Sequence, residues 1–131
     1  MKLNQIDKVF LGGTCGDSTW RDELEPQITG IDYFNPVVED WDTDAQKEED
    51  RQKGICNIHL YGLTREQSGA YSFFEIAYSL YNGKKVILLI LDINQSSQFK
   101  TTIEKIVADL ADNPMVSIFY NIGDIVVHLN K

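Results

Sequence analysis

Residues 85–91 read KVILLIL, an apolar run unbroken after its first residue. A strand with one face in water alternates apolar and polar side chains, whereas a strand of a parallel sheet, covered by helices on both faces, does not. The run therefore belongs in the middle of a parallel sheet, and such a sheet requires helical crossovers on either side of it. Upstream, residues 70–82 place Phe73, Ile76, Ala77 and Leu80 at the i, i+3, i+4, i+7 spacing of one helical face, with Gly83 where helices commonly end. Downstream, residues 97–112 carry Phe99, Ile103, Ile106, Val107 and Leu110 on a second amphipathic helix.

The same alternation continues in both directions. Residues 8–11 (KVFL), 31–34, 58–63 (IHLYGL) and 116–120 read as four more strands. Between the first two, Asp17-Ser18-Thr19 supplies helix-capping side chains ahead of Trp20, Leu24 and Ile28, and Pro26 should shorten that helix. A helix over about residues 43–56 is polar enough to be mostly solvated. Asn121 can cap a last helix bearing Ile122, Ile125, Val126 and Leu129. Strands alternating with helices imply right-handed crossovers. The expected architecture is a doubly wound α/β domain over residues 1–131, its five-stranded parallel sheet in the flavodoxin-like order 2-1-3-4-5 with helices on both faces.

The 131 residues are 43% hydrophobic and 24% charged, which excludes disordered, collagen-like and coiled-coil chains. The formal charge of −8 is concentrated: residues 39–50 hold seven acids against the single base Lys47 and so carry −6 of it. With no basic stripe to neutralise phosphates along a duplex, a polynucleotide partner is not expected, while a single nucleotide is compatible. The longest apolar run is far short of the roughly 20 residues of a membrane span, and the opening MKLNQIDK lacks a signal peptide's apolar stretch. A cytoplasmic protein without a membrane partner is the expectation. Cys15 and Cys56 stand far apart without ligand-like spacing, so neither a disulfide framework nor a metal site is expected, and no cofactor is called for.

In a 2-1-3-4-5 sheet the crossovers leave strands 1 and 3 in opposite directions, and ligands bind in the crevice beyond their carboxyl ends. The loop after strand 1, GGTCGDS, brings Gly12, Gly13, Thr14, Gly16 and Ser18 there, with a helix N-terminus behind them. Glycines allow close backbone approach, and free N–H groups favour an anion or a sugar hydroxyl. A tight strand-to-helix turn explains the same residues equally well. Arg21 is placed to pair with a phosphate, though a solvated surface arginine is the commoner situation. The loop after strand 3 leads through Gly69 into a helix on which Ser72, Glu75 and Ser79 share a polar flank. A carboxylate kept ionised near a helix N-terminus can attack an anomeric carbon. Taken alone, an exposed helix glutamate is the commoner situation for Glu75.

The set Val9-Phe10-Leu11-Gly12-Gly13-Thr14, Ser18-Thr19-Trp20-Arg21, Tyr33-Phe34-Asn35-Pro36-Val37-Val38, Asp40-Trp41, Leu60-Tyr61 and Gly69-Ala70-Tyr71-Ser72 followed by Glu75 resembles the nucleoside 2-deoxyribosyltransferase-like family over roughly residues 8–91. Glu75, with Gly83-Lys84 eight residues on and then a buried strand, is similar to the family segment that carries its nucleophilic glutamate. Ala77 stands where that segment usually has glycine, and Ser68 where the better-characterised enzymes have aspartate. The resemblance implies attack of Glu75 on C1′ of a 2-deoxynucleoside, departure of the base, and capture of the sugar by a second base or water. It further implies Asp40 or Asp42 as proton donor to the base, Trp41 and Tyr71 as stacking surfaces, Ser72 as a substrate contact, and a homo-oligomer. His59, inside a strand, reads as a hydrogen-bonded core residue. Two readings from other classes stay open: a non-catalytic module that binds a nucleotide-derived ligand, and a TIR-like signalling domain.

Overall fold

The computed structural model describes residues 7–13, 19–64, 71–91 and 100–131. Thr14, Cys15, Gly16, Ser18, Ser68, Gly69 and Phe99 lie outside the described residues. The elements follow the expected order: β1 (Lys8–Gly13), α1 (Trp20–Leu24), β2 (Asp32–Phe34), α2 (Thr43–Ile55), β3 (Ile58–Leu63), α3 (Tyr71–Tyr81), β4 (Lys85–Ile90), α4 (Lys100–Leu110), β5 (Val116–Phe119) and α5 (Ile122–Leu129). All strand pairs are parallel and the order is β2-β1-β3-β4-β5. Leu11 pairs with Leu60 and Gly13 with Gly62, so the carboxyl ends of β1 and β3 stand side by side at the reversal of strand order.

Each side chain of β4 from Val86 to Ile90 is buried, and successive ones enter opposite layers. Ile87 and Leu89 join Val9, Leu11, Ile58 and Leu60 beneath α1 and α5, while Val86, Leu88 and Ile90 join Tyr61 and Leu63 beneath α3 and α4. The first layer is stitched by Asn130, whose Oδ1 accepts from the N–H groups of Thr29 and Gly30 at 2.8 and 2.9 Å and whose Nδ2 donates to Gln27 O at 2.7 Å.

Local signals acted as their chemistry requires. Gly83 takes a positive φ of 75°, and its N–H and that of Lys84 close on the carbonyls of Leu80 and Ser79 at 3.0 Å each, a glycine-dependent helix stop. Asn121 caps α5 by accepting from Asp124 N at 2.8 Å. Pro26 sits in a 3-10 turn, Glu25–Gln27, that ends α1 after five residues. Thr19 is the N-cap of α1 and makes no side-chain capping bond, while Asp17 and Ser18, the other two capping candidates, lie outside the described residues. Gly62 has a steric purpose: a Cβ there would lie 2.4 Å from the Trp20 ring, so the absent side chain lets α1 seat directly over the end of β3.

No helix among the described residues is long and apolar enough to cross a membrane, and no group of acidic, His or Cys side chains among them could hold a metal.

Candidate active site

The second layer is not evenly filled. On β3, His59 and Tyr61 point beneath the space between α2 and α3, and here the packing is polar. Carbonyl oxygens only accept, so the His59 Nε2 that approaches Lys53 O at 2.9 Å and Cys56 O at 3.2 Å carries the proton. Nδ1 is then an acceptor, and Ser79 Oγ donates to it at 2.7 Å while accepting from the Tyr61 hydroxyl, also at 2.7 Å. Burial pushes the imidazole down to about 4 and raises the Tyr61 phenol, so the whole relay is neutral at physiological pH.

One turn before Ser79 on α3 stands Glu75, its side chain 11% exposed and its Oε2 2.8 Å from Lys53 Nζ of α2. Burial opposes the Lys53 charge, but hydrogen bonding to Glu75 and the charges of Glu75 and Glu49 outweigh it and hold the ammonium above its ordinary value. The same nitrogen lies over the rings of Phe10 and Tyr71, at 5.6 and 5.7 Å from their centres. Around this pair opens a cavity of about 710 Å³ with Tyr71, Phe74 and Tyr78 on its α3 wall, His59 and Tyr61 on its floor and Lys84 at its far end. That volume falls within the range of small-molecule sites. A smaller cavity of about 260 Å³ is lined by Pro36, Val37, Val38, Trp41 and Glu49.

The expected residues are distributed unevenly over this geometry. Glu75 and Tyr71 line the main cavity, and Glu75 is far from the exposed helix position it could have occupied. Ser72 and Ser79 are buried on the same flank of α3 as Glu75, and Ser79 lines the same cavity. Trp41 borders the smaller cavity. Asp42 accepts from Ala45 N at 2.8 Å as the N-cap of α2, and Asp40 is exposed. Gly12 is pressed beneath Tyr61, where a Cβ would meet the ring at 2.7 Å, and Gly13 has the left-handed φ of 102°. Arg21 is not solvated: it is 5% exposed, Nε donates to Leu11 O at 2.9 Å and Nη2 to Gly13 O at 3.3 Å, and the guanidinium lies 4.4 Å over Trp20. It thus ties the carboxyl end of β1 to α1. His59 is the hydrogen-bonded core residue its strand position implied. The cavity runs alongside the switch point, between α2 and α3, and extends further toward the amino ends of the strands than the crevice rule places a ligand.

Sequence reasoning passed over Lys53 and Glu49. Both belong to the acidic-to-polar stretch read as a solvated face, yet their side chains are 24% and 21% exposed. The available signal was the four-residue step from Glu49 to Lys53 and from Gln52 to Cys56, which puts them on the single face α2 turns inward.

Stability should report the neutral His59. Between pH 6.5 and about 4 the unfolded imidazole binds a proton that the folded one refuses, so stability falls as pH drops through that window. The loss is on the order of 3 kcal/mol. Urea midpoints at pH 6.5 and 4.5 should fall further for wild type than for His59→Gln; equal falls would mean that the imidazole ionises within the fold.

A sequence model of proteins described as nucleoside 2-deoxyribosyltransferase like matches residues 6–93, about two thirds of the chain, from just before β1 to just after β4. None of the curated proteins is a significant match.

Proposed function

The chain belongs to the nucleoside 2-deoxyribosyltransferase-like family, and on that premise we propose that it cleaves or transfers the N-glycosidic bond of a 2-deoxynucleoside or its 5′-monophosphate, with Glu75 as nucleophile. The observation that carries this reading is the setting of Glu75: an enclosed carboxylate, opposite an ammonium, on the wall of a nucleotide-sized cavity with aromatic surfaces. An oxygen of Glu75 attacks C1′ as the bond to the base breaks, giving a glycosyl ester. A second base or water then attacks C1′ and returns the carboxylate, so configuration is retained over two displacements. Tyr71 offers a ring face inside the cavity and Trp41 one beside it. The neutral Tyr61–Ser79–His59 floor adds no charge to compete with that of Glu75.

The test is chromatographic detection of free or exchanged base after incubation with a panel of deoxynucleosides and their monophosphates. Base release from at least one is expected. A protein that binds one of these compounds but releases base from none would be a sensing module, and this reading would be wrong.

Tyr71, Phe74, Tyr78 and Tyr81 follow one another at steps of three, four and three along α3, each more than half exposed. Tyr71 and Tyr78 lie 5.8 and 5.6 Å from Phe74, ring centre to ring centre. This is the spacing of a helix–helix seam, left without a partner inside the chain. We propose that a second copy covers it about a two-fold axis, which would also close the outer wall of the main cavity. Sedimentation at micromolar concentration should give at least a dimer mass; a monomer would contradict the assembly.

A further inference from the structure

The hydrogen bonds of the cavity floor run in one direction. His59, Tyr61 and Ser79 line the main cavity, and each is almost wholly buried. The His59 Nε2–H points at Lys53 O and Cys56 O, carbonyls at the C-terminal end of α2 where the helix dipole is negative, so this nitrogen stays a donor. Nδ1 therefore takes the Ser79 proton, and Ser79 Oγ in turn takes the proton of the Tyr61 hydroxyl, each across 2.7 Å. At 3.5 Å from Nδ1 the Tyr61 oxygen is too distant to compete with Ser79 for it. Neither the imidazole nor either hydroxyl has a proton left to give. What remains is acceptor capacity, most of it on the Tyr61 oxygen, which donates its proton and receives none.

Other donors of the lining also have acceptors within the chain. Lys53 Nζ meets Glu75 Oε2, Lys84 Nζ donates to Gly54 O at 2.8 Å and Asn82 Nδ2 to Tyr78 O at 2.8 Å. Resting on the reading of Glu75 as nucleophile, we infer that Tyr61 is a specificity-determining residue whose oxygen accepts a hydrogen bond from an exocyclic amino group of the departing base. Glu75 fixes the position of C1′. Ser79, the floor residue on the same helix, stands four residues further along α3, about 6 Å at 1.5 Å per residue. The rings of Phe74 and Tyr78, stacked with centres 5.6 Å apart, run beside that interval. A flat base laid on this wall extends from C1′ with one edge over the floor, while the sugar hydroxyls lie on the opposite side of C1′.

A free tyrosine hydroxyl rotates to donate or accept and would serve amino-bearing and keto-bearing bases alike. Here the rotor is fixed by Ser79, Ser79 by His59, and His59 by the carbonyls of α2, so His59 and Ser79 are positioning residues that act through Tyr61. Burial keeps the relay in this state: it holds the imidazole neutral and raises the phenol, with the charge of Glu75 adding to the second effect. A keto oxygen over the floor would meet lone pairs. A plain C–H there would displace water from the Tyr61 oxygen and offer no hydrogen bond in return.

The test uses substrates that differ by the amino group alone: the 2-deoxyribosides of adenine and of unsubstituted purine, and those of cytosine and of 2-pyrimidinone. Wild type should favour the amino-bearing member of a pair by at least about tenfold in kcat/KM. Tyr61→Phe keeps the ring and removes the acceptor, and it should bring the two members within about threefold by slowing the amino-bearing one. A second measurement needs no turnover: Glu75→Gln, titrated calorimetrically with the same pairs, should bind the amino-bearing member about tenfold more tightly. Equal kcat/KM for both members in wild type would overturn the assignment while leaving Glu75 as nucleophile. So would equal losses for both in Tyr61→Phe, the result expected if the floor accepted from a sugar hydroxyl or only supported the fold. A wild type that turns over none of these substrates would remove the nucleophile reading, and the affinities would still decide this one: tighter binding of the amino-bearing member supports it, and equal binding or none overturns it.

Discussion

Base release by Glu75→Gln is expected to fall by at least three orders of magnitude relative to wild type, on the order of 4 kcal/mol of barrier at about 1.36 kcal/mol per decade. The amide keeps the shape of the side chain and can still accept from Lys53, but it cannot supply the charge that attacks C1′. Ligand affinity should survive for the same reason. The variant must also be shown to fold. Glu75 is nearly enclosed and paired with Lys53, so some stability is lost, but Glu49 remains to accompany the ammonium. A loss of about 1–2 kcal/mol follows, below the roughly 3–5 kcal/mol of a buried charge left alone. Comparable turnover by both proteins would refute the glutamate mechanism, and a collapse of the denaturation midpoint would make the comparison one of folding.

Gly13→Ala is expected to cost about 4 kcal/mol, from two effects at one position. Its φ of 102° is a conformation that side-chain-bearing residues rarely adopt, and the added Cβ would lie 2.2 Å from the carbonyl oxygen of Gly62. That oxygen belongs to the paired strand β3 and cannot withdraw without opening the register of β1 against β3. Gly54 provides the contrast. A Cβ there meets nothing within 4 Å, and the residue lies within α2, so Gly54→Ala should be neutral or stabilising by up to about 1 kcal/mol. The check is a pair of denaturant titrations; a Gly13→Ala midpoint as high as that of Gly54→Ala would show that the tight approach of the strand ends imposes no constraint.

The sheet could be read from the sequence because its signals are local and redundant. KVILLIL has no alternating polar side to expose, Gly83 and Asn121 mark ends through their own backbone and side-chain chemistry, and α3 and α5 carry apolar residues at helical spacing. Glu75 was legible for a different reason, its resemblance to a family segment. The surroundings of Glu75 were not legible. Lys53 and Glu49 lie in a helix whose inward face is itself polar, so no contrast in hydropathy separates the inside from the outside. Arg21 misled in the same way: its burial depends on carbonyls at Leu11 and Gly13, whose approach is set by how α1 seats on Gly62, and no pattern within α1 announces it.

The clasp at Asn130 gives the two sides of the sheet different mechanical characters. On its side, three side-chain hydrogen bonds pin the segment after α1 to the end of α5 over a layer of aliphatic contacts that water cannot replace. On the other side α2 is held largely by polar contacts: Lys53 to Glu75, Lys84 to Gly54 O at 2.8 Å, and His59 to the carbonyls near its end. Water or a ligand can take over such contacts at little cost. The protein is accordingly stiff behind and compliant in front, and the compliant side is the one that carries Glu49, Lys53 and Glu75. A ligand can spread α2 from α3 without straining the frame that aligns the ends of β1 and β3.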